Sequence, residues 1–321
     1  MTASDALQLL PITLTDGLVL GLLYAVIALG YTMVYGVLGL INFAHAEIFM
    51  VGGIVGIEVL TFGTAGADLH PALQLAIALT AAMLASGVLA LLVERVAYRP
   101  LRVHNAPRLV PLITAIGVSL FLQDAVRFTE SLFGQFIRPF PDFDFFRHNI
   151  AISSTLELNY RSLTIVMVAV VMLIALNYLM NRTRLGRAIR AVAQDPKASK
   201  LVGIDVNRIV AITFFIGGAL GGLAGVLYGM QFGKLDPFSG FLPGMKAFTA
   251  AVLGGIGNIP GAMLGGVLLG LFDVGVGTYL PLLTNNAIGT EYKDIFVFGL
   301  LIVILIFRPA GLLGRAPVEK V

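Results

Sequence analysis

Residues 182–208 read RTRLGRAIRAVAQDPKASKLVGIDVNR and sit between two apolar stretches, Leu163–Met180 and Ile209–Met230. The segment carries seven of the chain's 21 Lys and Arg residues against two acids, Asp195 and Asp205. Stretches like its two neighbours recur along the chain, each long enough to cross a hydrocarbon core about 30 Å thick. A basic loop between such spans stays on the cytoplasmic side. The loop therefore decides both fold class and orientation: an all-α, polytopic membrane protein with this loop inside.

The loop has internal order. Leu185, Ala188, Ile189 and Val192 recur at helical spacing, and Arg184, Arg187 and Arg190 fall on another side. That pattern predicts an amphipathic helix extending the preceding span into the headgroup layer. Asp195 suits an N-cap, Pro196 the first helical position and Gly203 the C′ position. Between them the punctuation predicts a second helix, Pro196–Val202. A helix of about seven residues is marginal in water without tertiary packing, so it must dock on its own chain or on a partner. Anchoring at the membrane surface is a competing use of the arginines.

Composition supports the class. Hydrophobic residues make up 58% of the chain and charged residues 12%, with a mean hydropathy of +0.92. A soluble domain would carry about twice that charge, and the alternation a membrane barrel needs is absent. Apolar spans are expected at Leu14–Leu38, Ala46–Phe62, Ala72–Val93, Leu109–Phe128, Leu163–Met180, Ile209–Met230, Met245–Gly255, Gly261–Leu280 and Ile295–Phe307. Met245–Gly255 is too short for a comfortable crossing and reads as a half-helix, tolerable only if buried in protein. The expected count is eight or nine.

Arg95, Arg99, Arg102 and Arg108 mark a second cytoplasmic loop, and Arg308, Arg315 and Lys320 a cytoplasmic tail. The segment Phe128–Arg161 is balanced in charge and is expected outside. Alternation then places the N-terminus outside and the C-terminus inside, provided Met245–Gly255 effectively crosses. With no base before Arg95, a secretory signal with a basic start is not expected. Nor is an appended soluble domain, so residues 1–321 read as one transmembrane domain. The absence of Cys excludes disulfides and thiol chemistry.

Small residues recur at helical spacing. Gly217, Gly221, Gly225 and Gly229 form one stripe with Gly218 and Gly222 beside it, and Gly17-Gly21, Gly52-Gly56, Gly261-Gly265 and Gly266-Gly270 repeat the pattern. Such stripes let helix backbones approach closely, either within one chain or at a seam between subunits. The cluster from Gly254 to Gly261 breaks any helix, either as part of a transport route or as a plain turn.

Polar residues at membrane depth are expensive. Asn42, His45 and Glu47 stand at the junction of the first two spans, where Asn42 can cap the second helix and Glu47 can sit in its first turn. Alternatively, these groups line a translocation path or gate, together with Thr249 and Asn258. His45 and Glu47 are about 200° apart on a helix, so they do not form a pair. Lys246 is expected to snorkel to the interface and Asp273 to lie near a span end. The four histidines have no metal-ligand spacing. No His-Glu-x-x-His, Gly-x-Ser-x-Gly or Gly-x-x-x-x-Gly-Lys-[Ser/Thr] motif is present, so neither an enzyme nor an ATP site is expected.

Three blocks carry a family resemblance. The first runs from Gly21 to Gly36 and continues through Ile41-Asn42-Phe43-Ala44-His45-Ala46-Glu47. The second is Thr183-Arg184-Leu185-Gly186-Arg187-Ala188-Ile189-Arg190-Ala191, followed by Gln194-Asp195 and Gly203-Ile204. The third runs from Leu253 to Ala262. Together they resemble the permease subunits of bacterial branched-chain amino acid ABC importers of the LivH type, although that family commonly has Gly where this chain has Ala46. The resemblance implies a type II ABC importer-like fold in a bacterial inner membrane. The implied partners are a second homologous permease, two ABC ATPase subunits and an extracytoplasmic substrate-binding protein. It makes the short cytoplasmic helix a coupling helix, carried by Asp195, Pro196, Lys197, Ala198, Ser199, Lys200, Leu201 and Gly203. No cofactor is expected in this chain, since ATP and Mg would be bound by the partners, and no nucleic acid is expected. The implied cargo is a branched-chain or other hydrophobic amino acid. Urea or a short amide is the alternative within the clan. An ATP-independent carrier would need intramembrane charge pairs, for which Glu47, Glu58 and Lys246 are few.

Overall fold

The computed structural model describes residues 3–64, 69–104, 106–107, 109–134, 136–153 and 156–314. Arg108, Arg315 and Lys320, assigned above to the cytoplasmic side, lie outside the described residues. The first half of the chain contains α1 (Ala3–Leu38), α2 (His45–Glu58), α3 (Pro71–Val93), α4 (Arg99–Val103), α5 (Leu109–Phe133) and α6 (Asp144–Arg147). A π turn, Val59–Gly63, prolongs α2, and another, Glu94–Tyr98, joins α3 to α4. The second half contains α7 (Tyr160–Arg182), α8 (Arg184–Gln194), α9 (Pro196–Leu201), α10 (Val206–Phe232), α11 (Phe241–Gly254), α12 (Ile259–Leu283) and α13 (Lys293–Phe307).

Among the described residues, seven helices are long and apolar enough to cross a membrane: α1, α2 with its π turn, α3 continued through α4, α5, α7, α10 and α12. The shorter α11 and α13, of 14 and 15 residues, complete the nine apolar segments read from the sequence. The all-α reading needs one addition. Residues of the Phe128–Arg161 segment form a hairpin of β1's neighbours in sequence, β2 (Asn149–Ser153) and β3 (Leu156–Asn159), while β1 (Arg138–Pro139) pairs with β4 (Lys234–Leu235).

Local chemistry sets the helix ends. Asn159, Thr183, Asp205 and Asn258 each accept a backbone N–H from the first turn of the helix that follows. Gly233 closes α10 in the left-handed region at φ +75°. Thr183 also corrects one expectation. It stands in extended backbone and caps α8, so α8 is a separate helix rather than a continuation of α7.

The expected half-helix is preceded by a stretch of irregular backbone. After Gly233 the chain pairs with β1, and by Gly240 its backbone already packs on Ala46 and Glu47 at the start of α2. Residues 236–240 therefore descend as irregular backbone, braced by Asp236 N–H donating to Ser239 Oγ at 2.9 Å and Phe238 N–H donating to Asp236 Oδ1 at 2.8 Å. Irregular backbone at that depth is tolerated because protein surrounds it. α11 then runs to Gly254, where Leu253 and Gly254 carbonyls accept from Leu312 and Leu313 N–H of the tail.

α1 is the central post, packed by α12, α10, α11 and α7. Its residues Leu23 and Ala25–Leu29 are fully buried, which explains why it is apolar all round. Glycines bring the neighbouring backbones into contact. A side chain at Gly21 would meet Val267 backbone, and one at Gly266 would meet Ala25 backbone. The α10 stripe does the same: Gly217 lies on Gly30, Gly221 on His45 and Phe49, Gly222 on Ala82 and Ser86, Gly225 on Phe49 and Gly53. Of the two readings of that stripe, packing within the chain is the one observed.

Candidate functional site

One end of the bundle collects the basic segments. Arg102 of α4 donates to Glu94 Oε1 at 3.0 Å and to Asn207 Oδ1 of α10 at 2.8 Å. Gly314 of the tail and Arg190 of α8 line the same cleft. At this basic end, Asp195 caps α9 as its sequence suggests. Its Oδ1 accepts Lys197 N–H at 2.8 Å and Ala198 N–H at 3.0 Å, Pro196 occupies the first position, and Gly203 takes φ +83°. The helix ends at Leu201, one residue earlier than expected.

Two clefts, of about 820 and 790 Å³, flank the α8–α9 corner, and Pro196 lines both. Ser199 alone of α9 turns inward and is buried. Leu201 and Val202 project outward, 89% and 75% exposed. α8 is fixed more firmly: Gly186 lies directly on the Leu179 and Met180 carbonyls of α7, Arg190 donates to Met180 O, and Ile189 and Val192 are buried. α8 also touches α1 and α10. A push on α9 would thus reach α1, α7 and α10 through α8.

The second group is internal. Asn42 does not cap α2. The N-cap position is Ala44, without a side-chain bond, and Asn42 Oδ1 instead accepts the Tyr98 O–H at 2.9 Å, joining α1's exit to α3's end. His45 faces α1, with Nε2 at 3.3 Å from Ile27 O and its ring edge-on to Tyr31. Glu47 points elsewhere, as the helical angle demands. Ser119 Oγ of α5 donates to its Oε1 at 3.4 Å, while the buried Oε2 has no hydrogen-bond partner among the described residues. Ala46 sits in the first turn of α2 with helical backbone, so this position needs no left-handed angle. Thr249 Oγ1 donates to Met245 O within α11. Asn258 is at the basic end, away from this group: it caps α12 and its Nδ2 donates to Leu313 O at 2.6 Å. The Gly254–Gly261 cluster is there a turn between α11 and α12, covered by the tail.

The sequence reading missed the charge cluster around Lys246. Lys246 does not snorkel. Its Nζ lies 2.9 Å from Asp273 Oδ2 and 2.6 Å from Asp294 Oδ1. Asp273 is 0% exposed and ten residues before the end of α12. It also meets Lys293 Nζ at 3.2 Å and accepts the Tyr24 O–H at 2.8 Å. Four charges summing to zero thus join α11, α12 and α13, with α1 contributing the phenol. The signal was available: one Lys and one Asp inside apolar spans call for each other. It was obscured by reading α12 and α13 too short, which put Asp273 near an end and left Lys293 and Asp294 outside.

Taken together, a bundle of membrane-crossing helices, a capped surface helix with an apolar tip and a neutralised polar interior define a multi-pass membrane permease. The family described as branched-chain amino acid transport system / permease component matches residues 13–305, and the chain belongs to it. It is 46% identical over 309 residues to the high-affinity branched-chain amino acid transport system permease protein BraD of Pseudomonas aeruginosa, covering 96% of this chain and 97% of that one. It is 43% identical over 316 residues to the LivH permease protein of Escherichia coli K12, covering 95% and 96%. A 148-residue stretch is 32% identical to the fructose import permease protein FrcC of Rhizobium meliloti, covering 44% of this chain and 39% of that one. No solved structure matches the chain.

Proposed function

We propose that the chain is the translocation subunit of an ATP-driven importer of branched-chain or other hydrophobic amino acids in a bacterial inner membrane. The basic end faces the cytoplasm, in keeping with the clustering of Arg95, Arg99, Arg102, the α8–α9 loop and Arg308 at one end. α1 then starts outside. A second permease subunit completes the path, two ATPase subunits bind ATP and Mg, and an external protein delivers the cargo. The α9 helix, with Asp195, Pro196, Lys197, Ala198, Ser199, Lys200, Leu201 and Gly203, seats on an ATPase. Nucleotide-driven movement of α9 passes through α8 to α1, α7 and α10, and alternates access past Asn42, His45, Glu47 and Thr249.

The observation that carries this reading is the exposed Leu201–Val202 pair at the end of a helix too short to stand alone. Replacing both by Asp in the complex reconstituted with its ATPases should abolish uptake of leucine while the permease still inserts and melts as the parent does. Unchanged uptake would sink the coupling assignment.

A second reading, an ATP-independent carrier, gains one observation: the Lys246, Asp273, Lys293 and Asp294 cluster supplies intramembrane charges of the kind ion coupling uses. Leucine uptake into vesicles holding this chain alone, driven by a proton or sodium gradient, would favour it.

A further inference from the structure

We propose that the crevice between the α3–α4 junction and the start of α10 is a binding site for an anionic phospholipid, whose phosphate sits on Arg95, Arg99 and Arg208. The cavity holds about 430 Å³, and Leu91, Ile212 and Phe215 form its floor. The three arginines are exposed and form no ion pair among the described residues. The acids next to them in sequence are engaged elsewhere.

Glu94, the acid next to Arg95, turns fully inward, where Arg102 takes it and bridges to Asn207. Asp205, which lines the site from the cap of α10, uses Oδ1 to accept Arg208 N–H at 3.1 Å. The same bridge through Arg102 holds α4 and α10 at a fixed separation, so the crevice is part of the frame. The π turn, with Arg99 N–H reaching back to Glu94 O, points Arg95 and Arg99 along one side while Glu94 goes in. With Asp205 counted, the site keeps a net charge of about +2, suited to a phosphodiester.

Depth selects a lipid over a soluble anion. From Pro71 to Leu91 the helix rises about 30 Å, the thickness of the hydrocarbon core. With Pro71 at one edge of the core, Leu91 falls at the other, and Arg95 and Arg99 in the headgroup layer. On α10, Arg208 is in the first turn, and Ile212 and Phe215 lie one and two turns deeper. The charges stand at headgroup level and the apolar floor at acyl level, on two helical segments more than 100 residues apart in sequence. Leu92 and Val96, apolar and exposed, border the arginines, as a lipid-facing surface requires. Basic pockets between spans at the cytoplasmic leaflet take anionic headgroups for these reasons.

The test is native mass spectrometry of the full chain in a nonionic detergent, titrated with phosphatidylglycerol, phosphatidylcholine or inorganic phosphate. One phosphatidylglycerol should be retained at least tenfold more tightly than phosphatidylcholine. The variant Arg95→Gln/Arg99→Gln/Arg208→Gln should lose that preference, while Arg182→Gln/Arg184→Gln/Arg187→Gln on the neighbouring loop keeps it. These side chains are exposed, so the melting temperature should not change and serves as the folding control. Equal retention of the two lipids, an unaltered preference in the first variant, or displacement of the lipid by millimolar phosphate would each overturn the proposal. So would loss of ATPase co-purification with lipid binding intact, which would assign the arginines to an acidic protein surface.

Discussion

The α9 helix and the Lys246 cluster are both polar elements in an apolar chain, and they are built in opposite ways. α9 meets its local needs locally: Asp195 caps it, Pro196 starts it, Gly203 turns the chain away. Its apolar tip is left outside. The Lys246 cluster pairs its charges at long range, with partners from α1, α12 and α13, and Lys246 and Asp273 are both buried. One element leaves its apolar tip uncovered, whereas the charges of the other pair within this chain. Substitutions should therefore damage stability at the cluster and coupling at α9.

The largest stability effect is expected at Lys246→Met. It strips Asp273 of its nearest cation in a low-dielectric interior, where breaking one side of a buried pair costs about 3–5 kcal/mol. The double variant Lys246→Met/Asp273→Leu should recover most of that loss, read as the thermal melt of the purified chain. A normal melt for Lys246→Met, or no recovery in the double variant, would contradict the pairing. Next in size is Gly225→Leu. Its side chain would meet the Phe49 carbonyl and Gly53 backbone, neither of which can move aside, and overpacking of this kind costs about 1–3 kcal/mol. Folded yield should fall. The smallest stability effects belong to α9. Asp195→Ala removes a cap worth about 1 kcal/mol, seen as faster hydrogen exchange across residues 196–201 with little change in global melting. Leu201→Asp/Val202→Asp should shift stability by less than about 0.5 kcal/mol and still abolish uptake.

This contrast also explains what could be read in advance. Caps, Pro and Gly act over three or four residues, so α9 was legible almost to its last residue. Hydrophobic length gave nine apolar segments, and charge gave the common end of three basic stretches. Small-residue spacing showed that α10 packs closely, and only the structure showed that its partners are Gly30, Phe49, Gly53 and Ser86. Asn42 looked like a cap because its sequence neighbours fit one, yet its partner is Tyr98, 56 residues away. Lys246 and Asp273 had no local partner, and the default reading of each sent it to the interface. Ser199 likewise reads as a surface residue from its place in α9 and is buried, so a cysteine probe of sidedness belongs at Leu201. Paired with one at the exposed Asn149, and in a chain without native cysteine, the two should label from opposite faces of the membrane. Labelling from one face would break the orientation.

The most direct measurement is a photo-crosslinker placed at Leu201 in cells that express the whole transport system. The expected product is an adduct with a chain that mass spectrometry identifies by its Gly-x-x-x-x-Gly-Lys-[Ser/Thr] nucleotide loop, with none from the same probe at Asn149. An adduct at Asn149 alone, or none at Leu201 while leucine uptake continues, would contradict the account.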